Sequence, residues 1–356
     1  MRKIYLDNIR WATVMLVLVY HVCYMFNGVG IFGGIPDAES IPAFDALTYV
    51  VYPWFMVLLF LIAGMSARYA LQNRTSKQFF RERTRKLLVP STLGLFVLHW
   101  ITGYFNIKMG GGLEYMPSFL VYPISVMSGG GPLWFIQMLF LFSCILLLLR
   151  KLDKNDRIWN LCRKANIILI FLLFILIWGA AQILNMPVLT TYRFGIYFVA
   201  FLIGYYVFSH EEVQNAIEKV RIPMLVIAII AAIAYTVYYY GSNYAEPECL
   251  QSVFTNLYLW IVVLAVIGCS KKYFNQETEF TKYMAKSSFG IYVLHYPVLI
   301  VICYILQYHC NFAAIWNYVI ALVADVVITF ALNEGIRRIP VIRYLVLGQK
   351  GKYSHD

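Results

Sequence analysis

The feature that most constrains this chain is a series of apolar stretches that recurs from residue 10 to residue 333, with only short polar segments between them. A helix needs about 20 mostly apolar residues to cross the hydrocarbon core of a bilayer, and these stretches have that length. The composition agrees, because 61% of the 356 residues are hydrophobic and only 13% are charged. No intervening segment could form a soluble domain. We therefore expect an all-α integral membrane protein in which residues 1–356 form a single polytopic membrane domain.

The distribution of basic residues predicts how the helices are oriented. If the N-terminus is cytoplasmic, every Lys and Arg except Lys108 and Arg193 falls on the cytoplasmic side, as the positive-inside rule requires. This bias favours an even number of helices with both termini cytoplasmic. We predict about ten transmembrane helices, near residues 10–27, 44–68, 87–106, 131–149, 166–184, 193–209, 222–240, 251–269, 285–307 and 314–333.

The net charge of +11 follows from this topology, so we expect the lipid bilayer and no nucleic acid as a partner. The seven cysteines are odd in number and show no CxxC spacing. They predict neither a metal site nor a disulfide framework. Cys249 and Cys310 are the two that fall in predicted outer loops, where oxidation could pair them.

The least regular segment lies between the third and fourth predicted helices. The glycine runs 110–112 and 129–131 flank an aromatic and proline-containing stretch, residues 115–123. Irregular backbone at membrane depth is tolerated where protein or a water-filled cavity satisfies it. Two readings remain open: an outer loop that dips back toward a site, or an ordinary flexible loop. The basic segment 74–86 is expected to form an amphipathic helix at the cytoplasmic surface.

The first predicted helix carries two polar residues on one face. Arg10 and His21 are eleven positions apart, which is three helical turns to within about 20°. The helical rise puts His21 roughly 16 Å further into the membrane, near its middle. A histidine there could act as a base. It could equally form a structural hydrogen bond between helices.

Other polar residues within the predicted spans are candidate functional residues, because a polar side chain is costly to place in hydrocarbon. Ser288, Tyr292 and His295 share one face of the ninth helix, and His295 lies at a depth close to that of His21. His295 could orient His21 or be a packed core residue. Asp325, in the tenth helix, could orient a histidine.

Six segments, taken in order, resemble the acyltransferase family 3 membrane proteins, which include O-acyltransferases of surface polysaccharides. The segments are YLDNIRWATVMLVLVYHVCYMFN, FLIAGMSARYAL, RTRKLLVP, GPLWFIQMLF, SSFGIYVLHYPVL and IRRIPVIRYLVLG. The first has the family's spacing of ten residues between arginine and histidine. The third departs from the family pattern, because Lys86 stands where a second arginine is usual, which loses bidentate phosphate geometry. The last is most similar to the periplasmic-glucan succinyltransferase branch.

The resemblance implies a multi-pass protein of the bacterial inner membrane that transfers an acyl group from cytoplasmic acyl-CoA to a saccharide or glycan hydroxyl at the outer face. Acetyl is the commonest donor group in the family, and the C-terminal segment leaves succinyl open. His21 would be the general base, with His295 and Asp325 as further catalytic residues. His295 could help bind the acyl group. The donor would meet Arg10, Ser66, Arg68, Arg83 and Lys86, and the acceptor would meet Trp134, Gln137 and Tyr292. No metal is expected.

Alternatives remain for several of these roles. The arginines could simply mark topology, Ser66 could bond its own helix, and Trp134 could belong to an aromatic belt. His21 could remove the acceptor's proton or be transiently acylated. The rival function is a saccharide or lipid-linked sugar transporter without chemistry, although no repeated pair of interrupted helices is evident. A relative that has kept the fold and lost activity is a third possibility.

Overall fold

The computed structural model describes residues 3–29, 33–187 and 191–350, and nearly all of this part of the chain is helical. A short antiparallel hairpin pairs β1 (Asn185–Pro187) with β2 (Thr191–Arg193). The helices, numbered in chain order, are α1 (Ile4–Met25), α2 (Pro42–Val51), α3 (Phe55–Gln72), α4 (Ser76–Met109), α5 (Ser118–Ser128), α6 (Trp134–Leu152), α7 (Arg157–Cys162), α8 (Ile167–Ala181), α9 (Phe194–Phe208), α10 (Glu211–Lys219), α11 (Arg221–Tyr239), α12 (Pro247–Leu250), α13 (Val253–Tyr273), α14 (Glu279–His309), α15 (Ala314–Arg338) and α16 (Pro340–Leu347).

Eight helical segments within the described ranges are long and apolar enough to cross a membrane. They are α1, α2 with α3 (Pro42–Gln72), α4, α6 with the turn before it (Gly131–Leu152), α11, α13, α14 and α15. Each coincides with a predicted span, so the helical membrane fold expected from the sequence is confirmed.

The remaining two of the ten predicted spans differ from simple crossings. Helices α9 and α10 qualify only as a pair, bent by 99° at a short break, and counting that pair as one span gives nine. Helix α8 has 15 residues, about 22 Å of helix, which is less than the roughly 30 Å of the hydrocarbon core. The structure therefore supports eight or nine crossings over the described residues, where the sequence predicted ten.

Helix α4 corrects the expectation of a separate surface helix over residues 74–86. From Ser76 onward, the residues of that segment form the first turns of a continuous 34-residue helical run. This run contains two π-helical stretches, Thr84–Leu88 and Leu95–His99. Such stretches shift the helix register locally and are frequent at functional sites.

The irregular segment after α4 contains an 11-residue helix, α5. A Cβ atom at Gly103 would lie 1.9 Å from the carbonyl oxygen of Ser125, and one at Gly129 would lie 2.1 Å from that of His99. Only glycine allows backbones to approach so closely. Helix α5, about 16 Å long, therefore packs directly on α4 and is too short to cross the core. That it dips into the membrane remains a prediction.

The chain divides into two compact units, each assembled from three stretches. The first consists of Met1–Thr13, Ala46–Phe79 and Leu141–Ala285, and the second of Val14–Asp45, Phe80–Phe140 and Lys286–Asp356. Helix α1 contributes its first part to one unit and the rest to the other. The single membrane domain expected from the sequence stays a prediction.

Candidate active site

Two histidines meet within the second unit. Nε2 of His295, on α14, lies 3.0 Å from Nδ1 of His21, on α1. His295 is completely buried, whereas His21 keeps some exposed surface. The structure thus brings together the two histidines that the sequence placed at similar depths.

The hydrogen bonds of the pair define which nitrogens carry protons. Nδ1 of His295 lies 2.7 Å from the carbonyl oxygen of Tyr292, which can only accept, so this nitrogen donates. In the neutral ring Nε2 of His295 is then an acceptor, and Nδ1 of His21 donates to it. Nε2 of His21 is therefore unprotonated, and a general base needs such a nitrogen to accept a proton.

Aromatic rings surround His21. Its ring centroid lies 5.4 Å from that of Tyr20, 6.3 Å from that of Tyr24 and 5.1 Å from that of Tyr296, each with an edge-to-face orientation. These rings fix the imidazole and limit the space for water around it.

The turn before α6, Gly131–Leu133, contacts two tyrosines of α14 that neighbour the histidine pair. The hydroxyl of Tyr292 donates to the carbonyl oxygen of Pro132. A Cβ atom at Gly131 would lie 3.1 Å from the ring of Tyr296. The hydroxyl of Tyr292 thus has its proton engaged by this turn, and the predicted role of Tyr292 in substrate binding stays a prediction.

The predicted acceptor residues on α6 follow this turn directly. Trp134 is half-buried and Gln137 is exposed, but the amide of Gln137 donates to the carbonyl oxygen of Ser91 at 3.0 Å. That bond joins α6 to α4. Acceptor binding by either residue stays a prediction.

The sequence analysis missed a third histidine, His99, which is buried in the second π-helical stretch of α4. It interacts electrostatically with His295, and both of its ring nitrogens are buried without a hydrogen-bond partner among the described residues. Pro297, inside α14, has no N–H and cannot donate to the carbonyl oxygen of Val293, four residues earlier. A titratable residue inside an apolar stretch was the signal that could have found His99.

Asp325 does not join the histidines. Its Oδ1 accepts from the hydroxyl of Thr329 at 3.0 Å, and no described hydrogen bond or ion pair connects it to His21 or His295. The role expected for Asp325, orienting a histidine, has no contact to support it.

Two of the predicted donor-binding residues meet in the first unit. Nη2 of Arg10 donates to the hydroxyl of Ser66 at 2.9 Å, and Nη1 pairs with Asp7 at 2.8 Å. Ser66 in turn donates to the carbonyl oxygen of Ile62, one turn earlier in its own helix. Ser66 therefore orients Arg10 and has no proton left to donate to a ligand, while the side chain of Arg10 remains 36% exposed.

Arg68, also predicted to bind the donor, is held elsewhere in the first unit. Its two terminal nitrogens pair with both carboxylate oxygens of Asp156, at 2.8 and 2.9 Å, and its guanidinium lies 4.0 Å from the ring centroid of Trp159. These bonds hold the pKa of Asp156 below its usual value, against the opposing effect of partial burial. Because the guanidinium is buried and already paired, the arrangement suits a structural role better than phosphate binding.

The last two predicted donor residues lie on α4. Arg83 is half-buried, and Lys86 is exposed and pairs with Glu82, one turn earlier, at 2.7 Å. Within the described residues there is no group of three or more His, Cys, Asp or Glu side chains that could hold a metal.

These helices and the hydrogen-bonded histidine pair define a multi-pass membrane protein with a candidate acid–base site. The family model Acyl_transf_3, described as an acyltransferase domain, matches residues 3–334. The chain therefore belongs to acyltransferase family 3 and is a membrane acyltransferase. No curated protein and no solved structure matches it.

Proposed function

We propose that this protein transfers an acyl group from acyl-CoA to a hydroxyl of a saccharide or glycan, with His21 as general base. The observation that carries the proposal is the hydrogen bond between His21 Nδ1 and His295 Nε2. It leaves Nε2 of His21 unprotonated, and His21 is the member of the pair with exposed surface.

The chemistry follows from that arrangement. Nε2 of His21 removes the proton of the acceptor hydroxyl as its oxygen attacks the thioester carbonyl carbon. The new C–O bond forms, the C–S bond breaks, and the thiolate of coenzyme A takes the proton from His21. His295 accepts from Nδ1 throughout, so it stabilises the imidazolium that forms and holds the ring in place.

Coenzyme A is rich in phosphate, and Arg10 is the residue best placed to meet it. Its guanidinium is oriented by Ser66, retains exposed surface and pairs with one carboxylate, that of Asp7, among the described residues. Arginine binds phosphate through charge-assisted, often bidentate bonds. Arg83 and Lys86 supply further positive charge along α4.

The protein is proposed to lie in a bacterial inner membrane, with the donor arriving from the cytoplasm and the acceptor from the outer side. The basic residues in the first turns of α4 support the cytoplasmic assignment of that end through the positive-inside rule. The acyl group is proposed to be acetyl or succinyl.

The test is a donor-binding titration and a turnover assay on the purified protein in lipid, with acetyl-CoA and succinyl-CoA carrying a labelled acyl group. We expect saturable binding and label transfer to an added glycan. Arg10→Ala should weaken donor binding by roughly tenfold or more, as expected from losing a charge-assisted bond. Arg81→Ala, which removes an exposed arginine of α4, is the control and should leave affinity unchanged.

Two results would contradict the proposal. Equal losses in both arginine variants would indicate a diffuse charge effect, and movement of a saccharide across the membrane without acylation would favour a transporter. Label found on His21 in the absence of acceptor would replace direct transfer with an acyl-histidine intermediate.

A further inference from the structure

The segment of the first unit that joins α6 to α8 is strongly basic. Residues 150–164, which we call the basic loop, contain six Lys or Arg residues and two Asp residues, a net charge of +4. Lys151, Arg157 and Lys164 are exposed and form no ion pair with any residue that the structure describes. Three cations of the loop are therefore available to an anionic partner.

The basic loop also carries large apolar side chains on its surface. Leu152 is 81% exposed, Leu161 is 71% exposed and Ile158 is 51% exposed. Ile158 and Leu161 are three positions apart in α7, so they share a face of that helix. Exposed apolar side chains among basic ones are typical of segments that lie in the interface of a membrane.

Trp159 fixes the orientation of α7 against the protein. Its ring stacks on that of His210, with centroids 3.9 Å apart, and its Nε1 donates to the hydroxyl of Ser209 at 2.9 Å. Its carbonyl oxygen accepts from Nε2 of His210 at 2.8 Å. Successive residues of a helix are about 100° apart, so Leu161 points about 200° away from Trp159. The face with Trp159 is bound to the protein, and Leu161 points away from it.

Helix α8, which follows the loop, gives a second indication of depth. Its 15 residues span about 22 Å, roughly 8 Å less than the hydrocarbon core. An interfacial segment buries its apolar face by about 5–10 Å. A basic loop at that depth would start α8 below the membrane surface and so account for its short length.

We infer that the basic loop lies in the membrane interface, with its exposed apolar side chains among the acyl chains and its unpaired cations bound to the headgroups of anionic phospholipids. Such a lipid offers both parts of the required partner, since a negatively charged leaflet attracts basic segments beside a membrane helix. A water-soluble phosphate compound would neutralise the cations and leave the leucines in water. The loop is on the side that the positive-inside rule assigns to the cytoplasm.

Fluorescence quenching in lipid nanodiscs tests the depth of the loop. Leu161 is replaced by a fluorescent amino acid through stop-codon suppression, and Ile158 serves as a second reporter position. The controls are Ile230, an exposed apolar residue of α11, and Gln276, in the exposed segment after α13. Lipids brominated on their acyl chains should quench the reporter at 161 nearly as strongly as at 230. Iodide in the water should quench it far less than at 276.

The choice of lipid is tested with the same reporter at position 161. Brominated phosphatidylglycerol in a phosphatidylcholine bilayer should quench more strongly than brominated phosphatidylcholine at the same mole fraction. The triple variant Lys151→Gln, Arg157→Gln and Lys164→Gln should lower the preference for phosphatidylglycerol by roughly tenfold or more, because each cation near the surface contributes to binding. High salt should lower it as well.

The matched control removes three exposed basic residues from other segments, Lys77→Gln, Arg81→Gln and Lys272→Gln. It should keep the lipid preference, and each variant should unfold at a temperature close to that of the wild type. Iodide quenching at 161 equal to that at 276 would overturn the insertion. Equal losses in the two triple variants, or a lipid preference abolished by free coenzyme A, would overturn the headgroup assignment.

Discussion

Nε2 of His295 accepts a hydrogen bond from Nδ1 of His21, and of the two rings only that of His21 keeps exposed surface. A fully buried residue cannot contact a substrate directly, whereas a partly exposed one can. His21 is the residue that can reach reacting atoms, and His295 is a positioning residue that acts through it. The first two predictions separate these roles.

His21→Ala should retain acyl-CoA binding and membrane insertion while transfer falls by about 10²- to 10⁴-fold, the usual contribution of a general base. The measurement pairs a donor titration with turnover on each variant, at matched expression. His309→Ala, which removes an exposed histidine at the end of α14, is the control and should behave as wild type. Comparable turnover in His21→Ala would remove the proposed mechanism.

His295→Gln should keep part of the activity that His295→Phe loses, because a glutamine side chain can still accept from Nδ1 of His21 and phenylalanine cannot. We expect kcat to fall by roughly tenfold in the first variant and by about 10²-fold or more in the second, with KM for the donor little changed in both. Steady-state kinetics in lipid provides the test. Equal losses in the two variants would indicate that His295 contributes packing alone.

Asp156→Asn should destabilise the first unit by about 1 kcal/mol, since a bidentate ion pair with Arg68 becomes a weaker neutral contact. The pKa of Asp156 is lowered in the folded protein, so the carboxylate stabilises the fold above its ordinary pKa, and this stabilisation is lost as the pH falls through the folded value. Thermal unfolding curves of wild type and variant should therefore differ by a constant amount from about pH 5 to pH 8 and converge below about pH 4.

The control for this variant is Asp153→Asn in the same segment, whose carboxylate accepts from the main-chain nitrogen of Ile158. It should unfold at nearly the wild-type temperature, because the side-chain oxygen of asparagine can accept the same hydrogen bond. Donor affinity adds a second readout, because freeing Arg68 from Asp156 should leave affinity unchanged if the arginine is structural. A gain in affinity in Asp156→Asn would restore the phosphate-binding role that the sequence suggested.

Topology is tested by impermeant thiol labelling of intact cells. Gln78→Cys, in the first turns of α4, should resist the reagent until the membrane is permeabilised, because the positive-inside rule places residues 69–86 in the cytoplasm. Ser242→Cys, in the exposed turn after α11, should be labelled from outside. Efficient external labelling at residue 78 would reverse the orientation.

The sequence predicted the features that depend on local pattern. Apolar length located eight crossing helices, and the spacing of Arg10 and His21 fixed their shared face on α1. It could not predict that Asp156, 88 positions away, would pair with Arg68, because that contact depends on packing between distant segments. The sequence also did not predict the 99° bend after α9 or the π-helical stretches of α4. The hydrophobic pattern shows how long an apolar stretch is, but it does not show where the backbone of that stretch bends or changes its hydrogen bonding.

Pro297 interrupts the hydrogen-bond ladder of α14, because it has no N–H to donate to the carbonyl oxygen of Val293, four residues earlier. His295 lies on this interrupted turn, and its ring is bonded to His21 of α1. A residue with an amide hydrogen at position 297 would complete the turn and straighten the helix there. We therefore expect Pro297→Ala to shift His295 relative to His21.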